Sequence, residues 1–171
     1  MLSGIPVELS AMLAAREERA RQQDAWLKQY QCPLLSFTLN IPGPVKTSPA
    51  LRRAFETGLS ALQEHLTGMH LSPIAQMQVH AATGDEALVA IKGDAASLKE
   101  LCIRIEETHP LGRLFDFDVL TADGIKLSRP LPRRCLLCTE QAQVCARSRH
   151  HSIEELTNEI ERLLSVYSNK V

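Results

Sequence analysis

A chain of 171 residues, 44% hydrophobic and 23% charged, has an ordinary soluble composition and is long enough to bury a real core as one domain. Its formal net charge of −1 gives no global field for polyanions, so no nucleic-acid partner is expected and any phosphate ligand must be held by local arginines and lysines. Residues 1–10 lack the basic region and apolar core of a secretory signal, no segment is long enough to cross a bilayer, and five cysteines argue against a disulfide framework, so a cytoplasmic protein without membrane contact is expected.

From Pro6 to about Tyr30, apolar residues at Leu9, Met12, Leu13, Ala20, Leu27 and Tyr30 predict an amphipathic helix. Its polar side, with Arg16, Glu17, Glu18, Arg19, Arg21, Gln22 and Gln23, is expected to face solvent. Residues 34–40 read as a mostly apolar, interior strand. A loop with three prolines and a glycine follows, and Ser48-Pro49 is an N-cap and first-turn pair for the next helix. That helix places Leu51, Phe55, Gly58, Leu59, Leu62 and Leu66 on one face and is expected to stop at Gly68. A loop between a buried strand and a helix N-terminus suits anions, and Lys46 would add a full charge.

Residues 73–82 and 86–92 flank Thr83-Gly84-Asp85, a turn sequence, and read as a hairpin. Gly93-Asp94 opens a helix with Leu98, Leu101, Cys102 and Ile105 inward, which makes Cys102 a core thiol. Residues 112–120 form a further strand, and 125–129 a short return strand after the turn at residues 122–124. The order strand, helix, strand, strand, helix, strand predicts an α+β protein with a ferredoxin-like βαββαβ core over about 34–129. An N-terminal helix, the added hairpin strand and a Cys-rich turn plus closing helix over 130–171 surround it. Ser152 and Glu155 supply a capping box for that closing helix.

In Gly112-Arg-Leu-Phe-Asp-Phe-Asp-Val-Leu120, strand periodicity puts Asp116 and Asp118 on one face and Phe115, Phe117 and Val119 on the other. Alternate residues on a strand are roughly 6.5 Å apart, a usable spacing for carboxylates gripping divalent ions. The pair is either a salt-bridged sheet face or a magnesium site. Arg113, at odd separation from Asp116, points to the opposite face if the strand is regular.

Cys135 and Cys138 form a zinc-type knuckle, and Cys145 with His150 or His151 would complete a tetrahedral site. Buried packing thiols are the other explanation. Arg129, Arg133, Arg134, Arg147 and Arg149 surround the cluster and suit phosphate.

The segments Thr38-Leu-Asn-Ile-Pro-Gly-Pro-Val-Lys46, Gly112-Arg-Leu-Phe-Asp-Phe-Asp-Val119, Ser128-Arg129, Arg134-Cys-Leu-Leu-Cys138 and Cys145-Ala-Arg-Ser-Arg149 with His151 resemble the apo-citrate lyase phosphoribosyl-dephospho-CoA transferase family. The Arg16-Glu-Glu-Arg19 segment and Gln22 also fit its N-terminal helix. Phe117 stands where that family usually has a β-branched aliphatic residue, on the apolar side of the strand. The resemblance implies transfer of the phosphoribosyl-dephospho-CoA group from triphosphoribosyl-dephospho-CoA to a serine of the citrate lyase acyl carrier protein (gamma subunit), with release of pyrophosphate.

On that resemblance Asp116 and Asp118, with magnesium, and Arg113 are expected to be catalytic. Asn40, Gly43, Lys46, Arg129, Arg134 and Arg147 are expected to bind substrate, and Cys135, Cys138, Cys145 and His151 to hold a structural zinc. The N-terminal arginines offer a basic patch for the carrier. The analogous transferase of malonate decarboxylase and a non-catalytic, zinc-stabilised binding module are the alternatives.

Overall fold

The computed structural model describes residues 4–169. The first three residues of the N-terminal stretch and the last two of the closing segment lie outside the described residues. Among the described residues, five α-helices and four strands run in the order α1 (Leu9–Tyr30), β1 (Leu34–Leu39), α2 (Pro49–Gly68), β2 (Pro73–Ala81), β3 (Gly84–Ile91), α3 (Ala95–Thr108), β4 (Phe115–Leu120), α4 (Ala142–Ser148) and α5 (Ile153–Ser168). The sheet order is β2-β3-β1-β4, and the three neighbouring pairs are antiparallel. This is the ferredoxin-like arrangement that the alternation of elements predicted.

The two sheet faces follow from the strand period of two. Leu35, Phe37, Val89, Phe117 and Val119 point to one face, where α2, α3 and α5 bury the main core with Phe55, Leu62, Ile105, Ile160 and Leu164. Phe37 stacks on Phe55 and on Phe117, with ring centroids 5.0 and 4.2 Å apart. Gly58 of α2 is needed there, because a Cβ would fall 2.4 Å from Phe37 Cζ. The intervening residues Leu34, Leu88, Ala90 and Leu120 point to the other face, where Trp26, Leu27 and Tyr30 of α1 cover them.

Sequence-encoded caps set three helix starts. Ser48 accepts from the Leu51 amide, Asp94 from the Ser97 amide, and Ser152 with Glu155 forms the expected capping box. Cys102 is fully buried in the core, and burial raises its thiol pKa above the ordinary range.

Several boundaries differ from the sequence expectations. Helix α1 begins at Leu9 rather than Pro6, and Leu9 and Leu13 are 73% and 48% exposed, whereas Trp26, Leu27 and Tyr30 near its other end pack on the sheet. The face turned to the sheet instead includes Arg19 and Gln22, which were expected to be solvated. Helix α2 includes Gly68, and the left-handed residue that follows it is His70. Residues 112–114 form a 3-10 turn rather than the start of a strand. Residues 125–129 do not build a strand: a single bridge pairs Leu120 with Lys126. The amide of Leu127 still donates to Val119, and beyond it Arg129 turns inward to the acidic end of α3.

Candidate active site and metal centre

The 3-10 turn positions the acidic strand. Gly112 passes so close to the end of α3 that a Cβ would lie 2.4 Å from the Glu106 carbonyl oxygen, and Leu114 accepts the Asn40 amide at 2.8 Å. From there β4 pairs Asp116 with Thr38 and Asp118 with Ser36. Thr38 also pairs with Glu86 of β3, so Asp116, Thr38 and Glu86 form one row across three strands on the face that carries α1. Arg19 of α1 binds the Glu86 carboxylate through both Nε and a terminal nitrogen. That hydrogen bond, working against burial, raises the Arg19 pKa, and the charges of Asp118 and Asp116 add to the rise.

The two strand carboxylates have different surroundings. Lys126 donates to Asp118 at 2.6 Å, whereas the carboxylate of Asp116, a half-buried residue, makes no hydrogen bond or ion pair among the described residues. Asp116 faces two cavities. The smaller, about 150 Å³, is lined by Arg16, Arg19, Asn40, Lys46, Glu86 and Asp116. The larger, about 650 Å³, is lined by Asn40, Asp116, Asp118, Lys126, Arg129 and Arg133. Asn40 also reaches a third cavity of about 690 Å³ with Arg113, Arg134, Arg149 and His151.

The loop after β1 is held in shape by its own chemistry. Lys46 Nζ donates to the Ile41 carbonyl at 2.5 Å, and burial, helped by Arg16, holds its ammonium pKa below the usual value. The Val7 amide donates to the Pro44 carbonyl at 2.9 Å. Gly43 has φ +77, and a Cβ there would fall 2.8 Å from a methyl of Ile153, so glycine is required both by the turn and by the approach of α5.

The remaining predicted substrate residues are dispersed. Arg129 lies 3.6 Å from Glu106 and 2.8 Å from Glu107, so its charge is already matched. Arg134 lines the third cavity and is exposed, and Arg147 is exposed on α4. Arg113 is not beside the carboxylates: its guanidinium donates to the carbonyls of Arg134 and Cys135 at 2.5 and 2.8 Å. The 3-10 turn resets the alternation that placed it relative to Asp116. Burial and the charge of Arg133 lower its pKa.

The Cys-rich segment is more ordered than a turn. Its two arms pair through Arg134 and Gln141, the Cys135 amide donates to Glu140 at 2.6 Å, and the Ala142 amide donates to Arg133 at 2.8 Å. Helix α4 then supplies Cys145, and the residues before α5 supply His151. One ligand atom each from Cys135, Cys138, Cys145 and His151 lies within 4.8 Å of all the others. Cys138 Sγ is 3.4 Å from Cys145 Sγ and 3.3 Å from His151 Nε2. A tetrahedral zinc with Zn–S bonds of about 2.3 Å spaces its ligand atoms about 3.6–3.8 Å apart, so the cluster can hold a metal such as zinc. Burial raises the Cys135 pKa, but hydrogen bonds from the amides of Leu137 and Cys138 and from the Cys145 and Cys138 thiols together outweigh it and the net shift is downward. Burial and the neighbouring thiols push Cys145 up to about 12.

The family model for apo-citrate lyase phosphoribosyl-dephospho-CoA transferase matches residues 7–167. This chain belongs to that family. An apo-citrate lyase phosphoribosyl-dephospho-CoA transferase of Escherichia coli O1:K1 is 43% identical over 163 residues, covering 93% of this chain and 89% of the relative. A probable one from Vibrio cholerae serotype O1 is 44% identical over 169 residues, covering 96% and 95%. These names specify apo-citrate lyase, which favours the transferase over its malonate decarboxylase counterpart and over a non-catalytic module. Within this family member, the sequence alone did not single out Glu86, which binds Arg19, Lys126, which binds Asp118, or Lys99 and Glu106, which hold the Phe117 carbonyl and amide. Each is a charged residue at an ordinary position of a strand, turn or helix, and only the tertiary pairing separates it from a solvated one.

Proposed function

We propose that this transferase attaches the phosphoribosyl-dephospho-CoA group of triphosphoribosyl-dephospho-CoA to a serine of the citrate lyase acyl carrier protein in the cytoplasm. The serine hydroxyl attacks the α-phosphorus, the bond to the β-phosphate oxygen breaks, and pyrophosphate leaves as the hydroxyl proton passes to a base. The observation that carries this reading is the position of the Asp116 carboxylate, without a protein partner, between two cavities edged by cations. Such a place can meet a polyphosphate on one side and an incoming nucleophile on the other. Five free cysteines suit a reducing compartment.

Asp116 and Asp118 fit a magnesium ion. Both are hard oxygen donors on one sheet face, flanked in register by the Thr38 and Ser36 hydroxyls, and magnesium is commonly held by one or two carboxylates together with substrate phosphates. Bound there, the ion supplies neutralisation and Lewis-acid polarisation of phosphoryl oxygens. Arg16 and Lys46 take the triphosphate oxygens, with Arg19 fixed beside them by Glu86. Asn40, which lines all three cavities, contacts the donor at their junction, and the turn at Gly43 shapes the loop that follows it. Arg134 and Arg147 add charge along the Cys-rich segment, while Arg129 and Arg113 act as positioning residues.

The test is incubation of the chain with apo carrier, donor and magnesium, followed by intact mass of the carrier. A gain equal to the transferred group supports the assignment. A carrier that the E. coli relative modifies and this chain leaves unchanged would reject it.

A further inference from the structure

Independently of the transfer reaction, we infer that residues 133–152 fold around one structural zinc ion, and that this ion fixes the wall of the cavity facing Asp116. Three sulfurs and one imidazole nitrogen converge from three separate pieces of chain: the knuckle at Cys135 and Cys138, helix α4 at Cys145, and the lead-in to α5 at His151. Soft thiolates with an imidazole select zinc over the hard ions that carboxylates hold. With four protein ligands the site is closed, as structural zinc sites are. Binding forms three Zn–S bonds and one Zn–N bond, and the thiol protons are released to solvent.

Apart from arginine contacts and its own backbone pairing, the segment has little apolar packing to hold it together. Its buried apolar residues are Cys135 and Cys145 themselves and Leu136 is partly buried against the core, whereas Leu137 and Val144 are exposed. Helix α4 has seven residues, too few to persist alone. A stretch this poor in core needs a staple, and the cluster is in the place of one.

The staple bears directly on the cavity. Ala142 and Ala146 of α4 line it together with Asp116 and Asp118. Arg133, two residues before the first cysteine, ties the same stretch to Glu106 at 2.7 Å and to the Phe115 carbonyl. Arg113 grips the Arg134 and Cys135 carbonyls. Fixing Cys135 and Cys145 on one ion therefore fixes both the arginine-bearing arm and the helix that close the cavity.

Elemental analysis of protein purified without chelator is expected to give about one zinc per chain, and the Cys138→Ser, Cys145→Ser double variant less than about a tenth of that. A second measurement covers variants that do not fold. Wild-type protein stripped of metal and titrated with cobalt(II) is expected to develop thiolate charge-transfer and tetrahedral absorption bands. Adding zinc to the stripped protein is expected to slow amide exchange over residues 133–152 and leave β1 and β3 unchanged. Metal-free wild-type protein with no cobalt bands would overturn the site, as would zinc retained by the double variant. Zinc binding without slower exchange over 133–152 would overturn the link to the cavity wall. None of these readouts uses donor or carrier, so they are separate from the outcome of the transfer assay.

Discussion

Arg133 meets the buried carboxylate of Glu106 at 2.7 Å, and the same carboxylate oxygen accepts the Phe117 amide at 2.8 Å. Strand β4 lies at the end of the sheet, where an edge strand normally leaves its outer amides and carbonyls unpaired. Here side chains take them: Glu106 receives Phe117, and the buried Lys99 donates to the Phe117 carbonyl at 3.0 Å. Glu106 Oε2 and Arg129 Nε are buried without a hydrogen bond and face each other at 3.6 Å. Removing the glutamate carboxylate strands two half-buried arginines and a strand amide together. Glu106→Ala is expected to cost about 3 kcal/mol or more, read as a lower urea midpoint, and Glu106→Gln less.

Gly112→Ala tests the turn that aims the acidic strand. The added Cβ would meet the backbone carbonyl oxygens of Glu106 and Ile105 at 2.4 and 2.6 Å, and backbone at a helix end does not give way as a flexible side chain would. A loss of more than about 2 kcal/mol is expected, measured by chemical denaturation. An unchanged midpoint would mean that the turn is not held against α3.

Lys46→Ala removes a cation whose ammonium is anchored on the Ile41 carbonyl at 2.5 Å. Steady-state kinetics should show KM for the triphosphoribosyl donor rising about tenfold to a hundredfold, the worth of one charge-assisted contact. KM for the carrier should hold. A rise confined to the carrier would move Lys46 to the docking surface.

The strand alternation, the two faces of the sheet and the helix caps were legible because each depends on neighbours within a few residues. Phe115, Asp116, Phe117 and Asp118 alternate in structure as they do in sequence. The Cys135–Cys138 spacing likewise carried its own geometry. What escaped depended on where elements stop. Leu9 and Leu13 have the period of a buried stripe but stay exposed. Arg19 looked solvated until β3 brought Glu86 under it. The 3-10 turn at 112–114 and the seven-residue α4 are set by packing against α3 and by the thiol cluster, and neither has a local signal long enough to read.

Asp94 caps α3 as a carboxylate, accepting from the Ser97 amide and hydroxyl, and those bonds hold its pKa below the ordinary value. A group depressed on folding stabilises the folded state fully above its unfolded pKa, about 3.9 for Asp, and loses that contribution as pH falls through the folded value. Thermal melts of wild type and Asp94→Ala should therefore differ at neutral pH and converge on acidification below about pH 4. A gap that persists in strong acid would contradict the cap.

In the proposed reaction Asp116 is the hub of transfer at phosphorus. Its most direct test is the rate at which Asp116→Asn adds mass to the apo carrier, compared with wild type at saturating donor and magnesium. A loss of about a hundredfold or more, with the urea midpoint unchanged, is the predicted result. Transfer at the wild-type rate by folded Asp116→Asn would contradict it.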